Sequence, residues 1–317
     1  MAEHIALGVD LGWQHGAKQG IGTAAARDSK VWFTIAKGAL SEVYFPRIDS
    51  ACLRDLKLVV VGPGFIHDEQ RDMHNEIARP EPRALAYCIT SRGPDYVLTK
   101  EICTDPKGDA LLIRVRFTAP KTHRLVLITT PRLGNRGAGG NAGVEQGGDP
   151  AALRAWRDDL HVCLLADRPW RAATCGYTGP DDPWHELARH GRLVSRTTHA
   201  ANAHVVLAAE LDCSPQRELR LAVGFGRHEA KAFWSAQQAL GRPFPQVWAE
   251  YCAGWRQAAP DLSALGRDRP DGGRQAQLSA MLLLALEDKQ HPGACIASPS
   301  VPWGEARDDH ERGGYHL

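Results

Sequence analysis

The stretch YVLTKEICTDPKGDALLIRVRF, residues 96–117, decides how the chain is read. Its two flanks, YVLTKEIC (96–103) and ALLIRVRF (110–117), carry β-branched and aromatic residues at alternate positions. That is the pattern of a strand with one face on a core. Between them TDPKGD (104–109) supplies Asp-Pro and Gly, the residues of a tight turn. The unit reads as an antiparallel pair, and its neighbours repeat it. Upstream lie VWFTI (31–35), EVYF (42–45), LKLVVV (56–61) and ALAYCIT (84–90). Downstream come RLVLITT (124–130), HVCLLA (161–166), RLVSRTT (192–198), HVVLAAEL (204–211) and ELRLAVGF (218–225). No helix of about 10–15 residues alternates with them, which disfavours a parallel α/β sheet. The expectation is a mainly β protein, a large antiparallel sandwich.

After residue 227 the period changes. Residues 228–240 and 244–258 have helical spacing, broken by Gly-Arg-Pro-Phe-Pro (241–245). Val247, Tyr251 and Trp255 recur at i, i+4, i+8 and predict one buried face. Pro260–Gly273 is polar and rich in Gly and Pro, the composition of a linker. Arg274–Gln290 predicts a further helix, with Leu278, Met281, Leu282, Ala285 and Leu286 on one side. A lone helix with such a face is expected to be poorly buried and to fray or aggregate, or else to dock on residues 31–225; its sequence does not choose between the two. The tail ASPSVPWGEARDDHERGGYHL (297–317) has loop character and reads as an interrupted domain. The expected organisation is therefore a β-domain over 1–227, a helical linker over 228–273 and a third unit begun at 274–317.

Composition narrows the function classes. The 317 residues carry 38 Lys+Arg against 37 Asp+Glu, a net charge of +1, so no basic field favours nucleic acid or an anionic membrane. The longest apolar runs, Leu58–Val61 and Met281–Leu286, fall far short of the ~20 residues a membrane span needs. The opening MAEHIALGVDLGWQH places Glu3, His4 and Asp10 where an export signal needs an apolar run, so a cytoplasmic location is expected. Eight scattered cysteines include no CxxC and no paired Cys/His spacing; they read as reduced, mostly buried thiols, not a zinc cluster or disulfide scaffold.

Several motifs dissolve on inspection. Gly20-Ile21-Gly22-Thr23-Ala24-Ala25 fits GxGxxA, but LGWQHGAKQ before it is no strand and VWFTI after it is no helix. A Gly-rich lead-in to the first strand is the better reading. His185 and His190 are five apart, whereas a zinc helix needs four. Residues 133–149, LGNRGAGGNAGVEQGGD, lack the Lys-Ser/Thr of a P-loop and predict a long loop, bland or in contact with a ligand or neighbouring domain. Of nine Trp, Trp32 and Trp234 sit in periodic segments and are expected in the core. Trp303, in a Pro/Gly loop beside Glu305, is a better candidate to stack on a sugar. Glu305, Asp308, Asp309 and Glu311 could supply acid/base carboxylates or form a solvated loop.

Taken together, AKQGIGTA (17–24), VWFTIAKGALSEVYFPRIDSACLRDLKLVV (31–60), LGNRGAGGNAG (133–143), KEICTDPKGDALLIRVRF (100–117) and AVGFGR (222–227) resemble one known domain. It is the N-terminal β-domain of bacterial glucoamylases and glucodextranases, in glycoside hydrolase family 15. EDKQHPGACIASPSVPWGEARDDHERGGYHL (287–317) is similar to the opening of that family's catalytic domain. The resemblance implies a galactose-mutarotase-like β-supersandwich, a helical linker, and the first helix of an (α/α)6 barrel as its intramolecular partner. It implies inverting release of glucose from α-glucan or maltooligosaccharide ends, with one carboxylic acid protonating the leaving oxygen and another activating water. By position in GGYHL, Tyr315 matches a residue lining the terminal-glucose subsite, while Trp303 and Glu305 belong to the neighbouring loop. In the family GGYHL continues into Val-Trp-Pro-Arg-Asp, with both catalytic glutamates further on. This chain stops before them, so no catalytic residue is assigned and it is expected to be inactive alone. Two readings stay open beside it: a free-standing carbohydrate-binding or docking module, and glucodextranase-type α-1,6 specificity. A mutarotase-like epimerase would need a His/Glu pair that the 14 His do not single out. Calcium is implied by some relatives, with no ligand set to place.

Overall fold

The computed structural model describes residues 7–145, 151–180, 182–213, 218–260, 262 and 270–300. Among them seventeen strands form two antiparallel sheets. In the first sheet the order begins β1 (Gly20–Thr23), β2 (Trp32–Ala36), β3 (Ala39–Tyr44) and β4 (Ala51–Gly62). It continues through β10 (Arg124–Pro131) and β16 (Val205–Leu211) to β14 (Ala172–Tyr177), with β5 (Phe65–Asp68) also paired to β4. The second sheet runs β15 (His199–Ala203), β11 (Gly140–Glu145), β12 (Ala152–Arg157), β13 (Leu160–Ala166) and β17 (Leu219–Gly226). Then follow β9 (Ala110–Thr118), β8 (Val97–Thr104), β7 (Tyr87–Arg92) and β6 (His74–Ala78).

The alternation read from residues 96–117 sets the register. β8 and β9 pair from Val97↔Thr118 to Thr104↔Leu111, across the Asp-Pro turn. Leu98 and Ile102 on β8, with Ile113 and Val115 on β9, thus enter the space between the sheets, where all are buried. Phe33 meets Tyr87 edge to face at 6.0 Å, and Phe45 stacks on Phe225 at 5.6 Å. One polar pair interrupts this layer. Lys100 on β8 forms a buried ion pair with Glu69, beyond β5, and donates to the Gly38 carbonyl at 2.9 Å. Glu69 also accepts the Leu58 amide at 2.8 Å, so the pair ties one sheet to the other.

Helices cover the outer faces. α1 (Pro183–His190) seats Leu187 with Val59, Val61, Ile128 and Val206 outside the first sheet. α2 (Glu229–Gly241) lies directly on β17. The two glycines of AVGFGR explain how: a Cβ on Gly224 would stand 2.2 Å from the Ala232 carbonyl oxygen, and one on Gly226 would stand 2.6 Å from the Ala232 amide nitrogen. α3 (Phe244–Ala258) buries Val247, Tyr251 and Trp255, as their spacing predicts. α4 (Arg274–Ala285) ends five residues short of the expected Gln290.

Other expectations are corrected by the fold. Residues 140–145 of the Gly-dense stretch are a strand, β11, because their small residues fit between β12 and β15. RLVSRTT is not a strand: Val144 donates to the Thr198 carbonyl and Cys175 to that of Thr197, so the segment serves both sheets and belongs to neither ladder. Trp234 is 55% exposed, because α2 turns its small residues, Ala232, Ser235, Ala236 and Ala239, to the sheet. Trp32 is fully buried, as expected.

Candidate functional site

The segment that follows α4 is built into the sandwich at the outer side of the β1–β2 hairpin. Alternation along β2 sends Phe33 and Ile35 inward and Trp32 outward, where it is nevertheless fully buried. Its indole N–H donates to the Ala285 carbonyl at 3.1 Å, fastening the last turn of α4. Met281 and Ala285 are the helix residues buried there, and Leu278, Leu282 and Leu286 pack at the margin. From α3, Trp255 Nε1 donates to the Thr23 carbonyl at 2.8 Å, so the two helices hold the paired residues Thr23 of β1 and Trp32 of β2.

Beyond α4, Glu287, Asp288 and Lys289 each find a separate anchor. Glu287 pairs with Arg27 at 2.9 Å. Asp288 is buried and accepts the Ile48 amide at 3.2 Å, and also the amides of Gln290 and His291, a cap that turns the chain. Lys289 donates to Thr23 Oγ1, to the Ala24 carbonyl at 2.6 Å and to the Ser29 carbonyl, with its ammonium 4.9 Å from the Trp32 ring centre. Burial pushes this ammonium down to about 7, against the opposing pull of the Asp109 and Asp288 carboxylates. Two hydrogen bonds close the turn, Asp288 N to the Ala294 carbonyl and Ile296 N to that of Leu286.

The Gly20–Gly22 pair lets two aromatic rings pack against the strand backbone. A Cβ at Gly20 would lie 2.7 Å from the Tyr87 ring, and one at Gly22 would lie 2.2 Å from Phe33. Beside it a cavity of about 640 Å³ opens between β1, β6 and α4, with Pro299 and Ser300 at its rim. The far side of α4 presents Leu283 and Leu284, 68% and 41% exposed.

Trp303, Glu305 and Tyr315 lie outside the described residues, which end at Ser300. What the structure supplies is the anchored run leading toward them. Of the anchors, the sequence marks Trp32 only as a core residue and marks neither Asp288 nor Lys289. Their signal is a Glu-Asp-Lys run directly after an apolar helix, which reads as a solvated loop until its partners are known. Among the described residues no three His, Cys, Asp or Glu side chains gather into a metal-binding group, and no helix is long and apolar enough to cross a membrane. All eight cysteines are free thiols.

The described residues thus form a seventeen-strand sandwich that seats a helix and its following turn on an outer hairpin. The comparisons with known proteins make this specific. Residues 6–259 match the family model described as glucodextranase, domain N, and the chain belongs to that family. The matched residues take in α2 and α3 as well as the sandwich. The chain is 31% identical over 315 residues to a glucoamylase of Clostridium sp. (strain G0005), covering 96% of this chain and 44% of that protein. A bacterial glucoamylase solved in complex with acarbose superposes with a TM-score of 0.89 at 30% identity, over 98% of this chain and 46% of its own. A family GH92 glycosyl hydrolase shares the fold alone, with a TM-score of 0.52 at 14% identity over 88% of this chain and 39% of that one. The chain thus spans less than half the length of each. It is a glucoamylase-like N-terminal region, mainly β, with the sandwich expected from its sequence.

Proposed function

We propose that this chain forms the N-terminal part of an inverting, exo-acting α-glucan hydrolase and acts in it as the seat for an (α/α)6 catalytic domain. The observation that carries this reading is the anchoring of residues 285–296. Buried and partly buried polar contacts from Trp32, Ile48, Thr23 and Ser29 hold a segment that lies beyond the family-matched region. The exposed Leu283 and Leu284 give further helices an apolar face to cover. On this reading 1–227 is the β-domain, 228–273 the linker and 274–317 the start of the catalytic domain, with Trp303, Glu305 and Tyr315 in or near its terminal-glucose subsite. Two relatives named as glucoamylases favour α-1,4 linkages; the name of the family model favours α-1,6 as the second reading.

The chain's own contribution is structural. Inversion needs two carboxyl groups about 6.5–9.5 Å apart facing one glycosidic bond, one of them free to give up a proton. The buried carboxylates among the described residues are committed elsewhere: Glu42 to Lys18, Asp55 to Arg54, Asp68 to Lys57, Glu69 to Lys100, Asp105 to Arg242 and Glu210 to Arg124, with Asp109 on the Lys30 amide and Asp288 on the Ile48 amide. The test is glucose release from maltoheptaose and isomaltoheptaose by the purified 317-residue chain. No release above the blank is expected, and steady release proportional to protein would sink the structural role.

A further inference from the structure

We propose that the groove on the outer face of the second sheet, over β11, β12 and β13, is a second α-glucan-binding site, remote from the α4 seat. The ligand class rests on the reading of the chain as part of an α-glucan hydrolase; the site rests on the strand register. Asn141 pairs with Trp156 and Gly143 with Arg154, while Trp156 pairs with His161 and Arg154 with Cys163. Gly143, Arg154, Trp156, His161 and Cys163 therefore share one face. Their neighbours along the same strands, Ala142, Leu153, Ala155, Val162 and Leu164, fill the core. The first turn of α2 walls one side with Glu229, and Thr198 stands on the other.

α2 packs on β13, β17 and β9 and α3 on β8, and beside the first turn of α2 the sheet surface is concave, with a cavity of about 340 Å³. That lies within the range of small-ligand clefts, roughly 300–1,000 Å³. The Trp156 ring lies against bare backbone, since a Cβ on Gly143 would come within 3.3 Å of it. His199 supports the ring at 5.9 Å, tilted 35°. The result is a partly exposed, fixed aromatic plate, apolar on its face and suited to the C–H face of a pyranose. Next to it the Arg154 guanidinium is held between the carboxylates of Glu145 and Glu229. Donors and acceptors fixed side by side match vicinal hydroxyls, which both give and take hydrogen bonds. The charges also choose the ligand: an anion would face two carboxylates and a cation would face Arg154, whereas a neutral polyol meets no repulsion.

The test is calorimetric titration of the 317-residue chain with maltoheptaose, isomaltoheptaose and cellohexaose. The variants are Trp156→Ala, Glu145→Gln and, as control, Trp234→Ala on the exposed side of α2. Saturable binding of an α-glucan is expected, weakened roughly thirtyfold in W156A, the factor for a ~2 kcal/mol contact. E145Q should weaken it severalfold while keeping the packing, which covers the case in which W156A fails to fold, and W234A should match the parent. If α-glucan binds W156A and E145Q as tightly as the parent, it binds elsewhere, and the site is overturned while the α-glucan reading stands. Trp156-dependent binding of cellohexaose alone would overturn the ligand class and leave the reading of the α4 seat standing. No binding of any of the three would overturn the site.

Discussion

Replacing Trp32 with Phe should release residues 286–296 while leaving the sandwich folded. The indole is fully buried, donates to the Ala285 carbonyl at 3.1 Å and lies under the Lys289 ammonium at 4.9 Å. Phe removes the donor and strands a buried carbonyl at the end of α4, a cost of about 1–3 kcal/mol. It also offers the ammonium a weaker π face than Trp, a further loss on the order of 0.5–1 kcal/mol. The interior partners Phe33 and Ile35 point the other way and keep their contacts. A local loss of about 1.5–4 kcal/mol is expected, or roughly tenfold or more in the opening equilibrium. Hydrogen exchange reads it directly at the Asp288 and Ile296 amides, which donate to Ala294 and Leu286. Those amides should exchange faster by that factor, while amides of β9 and β17 keep their protection. Unchanged exchange at 288 and 296 would refute the seat. Uniform loss across β9 and β17 would refute its independence from the core.

The remaining predictions concern charge. Lys289, held down to about 7 in the folded chain against 10.5 unfolded, leaves the unfolded state with the extra proton between those values. Stability should therefore rise with pH across that window and be lowest below about pH 7. Lys289→Met should remove this slope, so that urea midpoints of parent and variant diverge between about pH 7 and about pH 9; parallel curves would contradict it. Lys100→Met strands the buried Glu69 carboxylate and should cost about 3–5 kcal/mol in urea unfolding. Combining Lys100→Met with Glu69→Leu removes both charges and should recover most of that loss; failure to recover would show that uncompensated charge was not the cause.

Much of the fold was legible in the sequence because period-2 alternation survives wherever one strand face meets the core. β8, β9, β10 and β17 fall where the runs 96–117, 124–130 and 218–225 place them. Strands without that contrast were invisible. Phe65–Asp68, His74–Ala78, Ala152–Arg157 and Ala172–Tyr177 are short, polar or rich in Ala, and only their neighbours in the sheet make them strands. Arg154 in β12 shows why: its ion pairs reach to Glu145 on β11 and Glu229 on α2, so nothing local marks its role. The seat failed to show for the same reason. Lys289 meets Thr23 and Ser29 across more than 250 residues of chain, and sequence spacing carries no trace of that contact. Trp32 announced its burial through its strand, but not that it faces away from the sandwich interior.

The most direct test of the proposed role is to read the coding DNA beyond the codon for Leu317. The expected result is a frame, the same or a neighbouring one, that runs on into Trp-Pro-Arg-Asp and a later pair of glutamates, giving the seated segment the domain it leads to. A stop codon followed by no such sequence in any nearby frame would contradict a place in an α-glucan hydrolase.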